Sequence, residues 1–241
     1  MTQEILSDLK RLALTGPIKS VHSGSNSIGK TLQAALGIEH STTARNRYKG
    51  FTITSTSLAG SSRTNLFAQV PDWSKSDIHS STDLVEEYGI IDKTKKYHKK
   101  LFCTVNALNP NSFGLFLKVD MVNNLLSECY FSDKVEKSFV VWDSIKLKEK
   151  LSNLDKLVIV TASKHKRIDG DYFHFKVAEF LLAPSFDTFL KQIKFGTITL
   201  DHLISLQHGS RTAKEQGPLF KISKTARIDL FDNYKKYNLL D

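Results

Sequence analysis

Residues 27–57 set the frame within which the rest of the chain has to fit. Ile28, Leu32, Ala35 and Leu36 recur at helical spacing, with Gly37 behind them as a C-terminal cap and Gln33 at the edge of the apolar side. After a polar connector the chain runs Phe51-Thr52-Ile53-Thr54-Ser55-Thr56, an alternation of apolar and polar residues. Side chains of a strand alternate with a period of two, so Phe51 and Ile53 face a core while Thr52, Thr54 and Thr56 form a polar row.

The remaining elements follow from spacing and breakers. Residues 3–14 place Ile5, Leu9 and Leu12 on one helical face and end at Gly16-Pro17. The stretch 65–70, closed by Pro71, is predicted to form a hairpin with the strand at 51–56, and 101–106 with 114–120 a second hairpin around Asn109-Pro110-Asn111. Short helices are expected near 83–88 and 147–153, and strands at 138–143, 156–162, 171–178 and 197–206. The run Lys156-Leu-Val-Ile-Val-Thr-Ala reads as a strand buried on both faces. A helix is expected at 185–195, with Phe186, Phe189, Leu190 and Ile193 inward, and another in the segment from Thr225 onward. The expected class is α/β or α+β with a mixed central sheet flanked by helices, residues 1–241 forming one domain with room for two lobes around a cleft.

Charge narrows the partners. Lys and Arg number 34 against 25 Asp and Glu, a net charge of +9 spread along the chain, which points to a polyanion such as nucleic acid. The run Lys93-Thr-Lys-Lys-Tyr-His-Lys-Lys interleaves cations with an aromatic residue, as a phosphate-binding loop or a solvated surface would. Cys103 and Cys129 have no metal-ligand spacing, and the eight histidines show no metal-binding or nucleophile-base motif. His174, in a strand, reads as a core residue with its hydrogen bond satisfied. No apolar run approaches the eighteen or so residues of a membrane span, so a cytoplasmic protein without a membrane partner is expected.

An ordered set of short matches resembles the MvaI/BcnI-type restriction endonucleases, relatives of the mismatch-repair nickase MutH. It runs through Ile28-Gly29-Lys30-Thr31-Leu32 with Leu36-Gly37, Thr64-Asn65-Leu66-Phe67 with Pro71, and Lys99-Lys100-Leu101-Phe102-Cys103-Thr104. It continues through Asn111 with Gly114-Leu115, Trp142-Asp143, Lys156 to Val160, Phe173-His174-Phe175 and Gly217-Pro218, nearly the whole chain. The resemblance implies a restriction-endonuclease-like fold, a cleft for double-stranded DNA, a monomer, and a short C and G rich recognition site. Such enzymes set a Glu on a helix, then an Asp, then Glu-x-Lys on a strand, because Mg²⁺ takes hard carboxylate oxygens and the Lys steadies the attacking water or phosphate. That catalytic set maps onto Gln33, Arg47, Thr52 and Thr54, and every position departs from it. The family set is formally −2; here one Arg and three neutral groups give +1. The resemblance therefore implies Mg²⁺ for the family and no intact catalytic residue or bound metal for this chain.

The DNA-reading part departs less. Where the family places a His-Asp pair, a Gly and then an Arg, this chain has Lys214-Glu215, Gln216-Gly217 and Lys221. Lys donates to guanine O6 and N7 and Glu accepts from cytosine N4, so donor and acceptor roles are kept. Arg63, Lys99, Lys100 and Arg211 complete the expected DNA-binding set. The leading expectation is a DNA-binding protein with little or no cleavage, acting alone or beside an endonuclease or methyltransferase subunit. Two alternatives stand beside it: an active endonuclease whose acids have moved, to Glu39, Asp72, Asp77 or Asp83, and a protein-interaction module on the same fold.

Overall fold

The computed structural model describes residues 2–24, 26–38, 47–60, 63–132 and 135–241. In chain order these form α1 (Thr2–Leu14), β1 (Ile18–Lys19), α2 (Ser27–Ala35), β2 (Arg47–Tyr48), β3 (Phe51–Ser57), β4 (Arg63–Ala68), a 3₁₀ turn (Trp73–Lys75), α3 (Ser81–Tyr88), β5 (Ile90–Ile91), β6 (Lys99–Val105), β7 (Leu115–Asp120), β8 (Leu125–Ser132) and β9 (Val135–Trp142). There follow α4 (Ser144–Ser152), β10 (Lys156–Arg167), β11 (Gly170–Pro184), α5 (Phe186–Lys194), β12 (Ile198–Leu206), β13 (Lys214–Glu215), β14 (Leu219–Ser223), α6 (Arg227–Leu230) and β15 (Phe231–Asn238). Two compact units result: residues 1–62, 154–184 and 231–241 make the first, residues 63–153 and 185–230 the second. No helix among the described residues is long and apolar enough to cross a membrane.

The first unit is a mixed sheet in the order β1-β11-β10-β3-β2, with β15 on the far side of β11. β3 runs parallel to β10 and the other pairings are antiparallel, so the expected mixed sheet is present. One face carries Phe51, Ile53, Val158, Val160, Phe173, Phe175 and Phe180, and against it lie Ile5, Leu6 and Leu9 of α1 and Leu32 of α2. Burying an aliphatic or aromatic side chain contributes roughly 1.5–3 kcal/mol. This face is therefore what holds α1 and α2 on the sheet. The run 156–162 reaches this core with Leu157 to Val160 buried, as its apolar continuity implies.

The second unit holds a sheet in the order β4-β14-β12-β6-β5, with β13 also on β12, and a three-stranded meander β7-β8-β9. Its centre is aromatic: Phe67, Phe189 and Phe220 lie with ring centroids 5.2–5.6 Å apart, and Trp142 meets Phe220 edge-on while its indole N–H donates to Gln69 O at 2.8 Å. Ser185 caps α5 by accepting from Thr188 N, and Phe189, Leu190 and Ile193 point inward from that helix as their spacing predicts.

Three expectations fail on pairing. β3 and β4 belong to different sheets, β3 beside β10 and β4 beside β14, so residues 51–56 and 65–70 are no hairpin. β6 pairs with β12 and β7 with β8, which dissolves the second hairpin as well. Local turn signals favoured the wrong neighbours: the partners of β3, β4 and β6 lie far along the chain, and β7 turns onto the next strand, β8, instead of back onto β6. The segment from Thr225 keeps one helical turn, α6, and then becomes β15: Tyr234 and Tyr237 sit three apart, a helical spacing, yet the segment is an edge strand on β11. The helix α2 ends one residue before the expected Leu36, and Ala35 is exposed rather than buried.

Candidate nucleic-acid interface

In the first unit, local geometry fixes the positions of Gln33, Arg47, Thr52 and Thr54. Gly37, at φ +68, closes α2 in a Schellman motif, with Gly37 N donating to Ala34 O and Ile38 N to Gln33 O at 2.9 Å. That pins the backbone of Gln33, whose Oε1 is buried without a hydrogen-bond partner among the described residues. Lys49 at φ 47 and Gly50 at φ 82 form a two-residue turn between Tyr48 and Phe51, the type I′ geometry that matches strand twist. Its register sets Arg47 opposite Thr52. Tyr48 donates to Asp8 Oδ2 at 2.8 Å and Lys49 lies 2.5 Å from the same oxygen, tying the turn to α1. The Lys49 ammonium, then the Tyr48 hydroxyl, hold the Asp8 carboxyl below its ordinary range.

Thr52 and Thr54, both half-buried, share a face with Leu157 and Ile159, their partners in the parallel register. Arg47 is exposed. The same face carries a carboxylate two strands away: Glu179 is opposite Ile159, itself opposite Thr54, which puts its backbone about 10 Å from that of Thr54 at ordinary strand spacing. Glu179 is 5% exposed and accepts from the Tyr234 hydroxyl at 2.8 Å. His174 lies half-buried with its Nε2 3.0 Å from Ala13 O.

The seven expected DNA-binding residues lie in the second unit, and the structure distributes them unequally. Asp201, 7% exposed, gathers two of them: it accepts from Arg63 Nη1 at 2.8 Å, from Thr104 at 2.8 Å, and lies 2.6 Å from Lys221 Nζ. Burial raises the Asp201 pKa, but the hydrogen bonds from Lys221, Thr104 and Arg63 together outweigh it and the net shift is downward. Lys100 lies 2.7 Å from the buried Asp92, around which Thr94 and Tyr97 also donate, so the basic run 93–100 folds about that one carboxylate. Lys99 donates to Glu86 O at 2.5 Å. Arg211 and Lys214 are exposed.

Glu215 differs from its neighbour. β13 sets Lys214 opposite Ser205 and Glu215 opposite Ile204, so the two side chains leave on opposite faces. Glu215 Oε2 accepts from the Ser81 hydroxyl and its Oε1 is buried without a partner among the described residues. Beneath it lies a pair that sequence reading missed. His202 and Glu128 are both 0% exposed, with His202 Nε2 at 2.9 and 3.0 Å from the two carboxylate oxygens and Nδ1 without a partner among the described residues. Burial lowers the His202 pKa, but Glu128 by charge and hydrogen bond raises it further, and the net direction is up. No local motif marks this pair, since the partners are 74 residues apart.

Of the acids considered as relocated ligands, Glu39 lies outside the described residues. Asp72 is 2.9 Å from Lys146, Asp83 accepts from Ser80, and Asp77 is 3.7 Å from Lys137. Cys103 is half-buried and Cys129 fully buried, both free thiols, and burial pushes Cys103 up to about 12.

A mixed sheet carrying a helix-then-strand frame, with a second unit built on its own antiparallel sheet and meander, is the architecture of the restriction-endonuclease fold. The structure of restriction endonuclease MvaI in complex with its cognate DNA substrate matches with a TM-score of 0.82 at 18% identity, covering 98% of this chain and 97% of that one. MvaI in the absence of DNA matches with a TM-score of 0.57 at 16% identity, over 96% and 95% of the two chains. The model of the MvaI/BcnI restriction endonuclease family matches residues 6–231, and the chain belongs to that family. No curated protein matches it.

Proposed function

We propose that the chain binds double-stranded DNA, reads a short C and G rich site as a cytoplasmic monomer, and has little or no Mg²⁺-dependent cleavage. Membership of an endonuclease family and the likeness to MvaI, a structure solved with its cognate DNA, support the DNA reading. The observation that carries the loss of cleavage is the donor set on the frame. Gln33 offers one amide oxygen, Thr52 and Thr54 offer hydroxyls, and Arg47 stands directly across from Thr52. Mg²⁺ is held by carboxylates and substrate phosphates in octahedral geometry, and a guanidinium in place of a carboxylate repels it, so these residues do not fit the ion. Exposed Lys214 and Arg211 are the cations proposed to meet the duplex first, with Arg63, Lys99, Lys100 and Lys221 around them; Glu215, expected as the acceptor, is turned inward onto Ser81 and is left out of the reading set.

One observation favours a second reading, an active enzyme with relocated acids: Glu179 lies on the same sheet face as Thr54. A single carboxylate does not hold a divalent ion well, which ranks this reading second. Plasmid DNA incubated with Mg²⁺ or Mn²⁺, beside a filter-binding titration of mixed-sequence duplex, decides between them. Retention of duplex without nicking is the expected result. Nicking that disappears in Glu179→Ala establishes the second reading, and absence of both activities leaves a protein-interaction module.

A further inference from the structure

The first unit carries an extension that the frame does not use. β10 stays beside β3 as far as Ala162, opposite Ser57, and then continues with β11 alone through Ser163↔His174 to Arg167↔Gly170. This hairpin turns through Ile168 and Asp169, with Gly170 at φ +132, and residues 164–170 are all exposed. It carries Lys164, His165, Lys166 and Arg167 on one strand.

Its charges are arranged selectively. Asp171 lies 2.7 Å from Lys164, and Asp169 takes Lys19 at 3.0 Å and the Tyr172 hydroxyl at 2.8 Å. The Arg167 guanidinium lies over the Tyr172 ring, 4.2 Å from its centre. Among the described residues neither Lys166 nor Arg167 has a carboxylate partner. Both line an open groove with Lys19, Ser20 and His22 on the neighbouring segment. Cations on an exposed edge strand also guard against edge-to-edge pairing. That role accounts for the lysines and leaves Ile168 unexplained, an isoleucine 110% exposed at the tip. An apolar residue at the end of a basic arm is what groove-binding proteins press between base steps.

The direction of the arm ties it to the frame. Alternation along β10 puts His165 and Arg167 on the face that holds Leu157 and Ile159, and hence Thr52 and Thr54. Leu157, opposite Thr52, is ten residues from Arg167, or about 33 Å of strand at about 3.3 Å per residue. One turn of duplex is about 34 Å. We infer that residues 163–172 form an arm that grips duplex DNA about one helical turn from the frame, Lys166 and Arg167 on phosphates and Ile168 at a groove. This rests on the DNA-binding reading above.

The test compares the full chain with Lys166→Ala/Arg167→Ala and with Ile168→Asp, on duplexes of about 8 base pairs, too short at about 3.4 Å per pair to reach from frame to arm, and about 30 base pairs, at several salt concentrations. All three positions are exposed, and circular dichroism confirms that the variants fold. The arm requires that the double variant bind the long duplex with a salt slope lower by about 1.8, two contacts at about 0.9 each, while the short duplex is unaffected. Ile168→Asp should weaken the long duplex alone. Unchanged slopes, or equal losses on both lengths, overturn the arm while wild-type binding keeps the DNA reading intact. If wild type binds neither duplex, the DNA reading itself falls and the arm with it.

Discussion

Asp201 ties Arg63, Thr104 and Lys221 together, so its protonation reaches both cations at once. Its pKa is depressed in the folded chain from 3.8, so its contribution is present above that value and is lost as pH falls through the folded pKa. We expect Asp201→Asn to cost about 1–3 kcal/mol at neutral pH, the range for a buried charged hydrogen-bonding group left mismatched. Urea titrations from pH 3 to 8 should show the gap between wild type and variant closing only at the acid end. His202 has the opposite sign. Its folded pKa is raised above 6.5, so the stability it brings is complete below 6.5 and fades as pH rises through the folded value. Glu128→Ala removes one partner of a fully buried pair and should cost about 3–5 kcal/mol. Thermal melts of Glu128→Ala across pH 6 to 9 that keep the wild-type pH dependence would refute this. A third expectation concerns Lys214 and Glu215: in selections from a random duplex pool, Lys214→Ala should weaken binding and blur the enriched core. Glu215→Ala should leave the enriched core as it is, because its carboxylate is turned onto Ser81; a position blurred in that variant would return Glu215 to the reading face.

The helix α2 and the strand β3 of the frame were legible at the level of elements because period and breakers are local properties, whereas β2 lay hidden in what reads as a polar connector. The helix with Leu32 inward, Gly37 at its end, and the alternation of Phe51 to Thr56 can each be read in a window of ten residues. The sheets were not, since β3 meets β10 and β6 meets β12 about a hundred residues along the chain, and no window contains both partners. β8 was missed for a different reason, since its partners β7 and β9 are its neighbours in sequence: its buried residues include Ser127 and Glu128 as well as Leu126 and Cys129, a mixture that alternation does not flag. The inward turn of Glu215 needed the register of β13 on β12, which sequence could not supply. If the frame is intact and lacks only its donors, the combined variant Gln33→Glu, Arg47→Asp, Thr52→Glu and Thr54→Lys should gain weak nicking with Mn²⁺. Each single change should gain none, because one carboxylate does not hold the ion. Supercoiled plasmid is a sensitive substrate for this measurement, and nicking by any single variant would place the remaining ligands elsewhere.

For the whole molecule, a net charge of +9 sets how affinity responds to salt. Each phosphate neutralised releases condensed counterion, at about 0.9 units of logarithmic slope per contact, so binding should fall steeply between 50 and 200 mM salt. A flat response would exclude a phosphate-tracking surface. The path of the chain has a separate consequence, one for its birth rather than its binding. The first unit is assembled from three stretches, and the second unit is made between them in two passes, residues 63–153 and 185–230. As the protein leaves the ribosome, β3 waits through 98 intervening residues, 58–155, before β10 arrives to pair with it. Residues 177–184 of β11, beyond the reach of β1 on the same edge, then stay bare until β15 emerges after the second pass. A nascent chain halted near residue 225 therefore exposes Val177, Leu181 and the buried acid Glu179 along an uncovered strand, the kind of edge that invites aggregation and chaperones. The sheet that carries the frame is the last part of the protein to be finished.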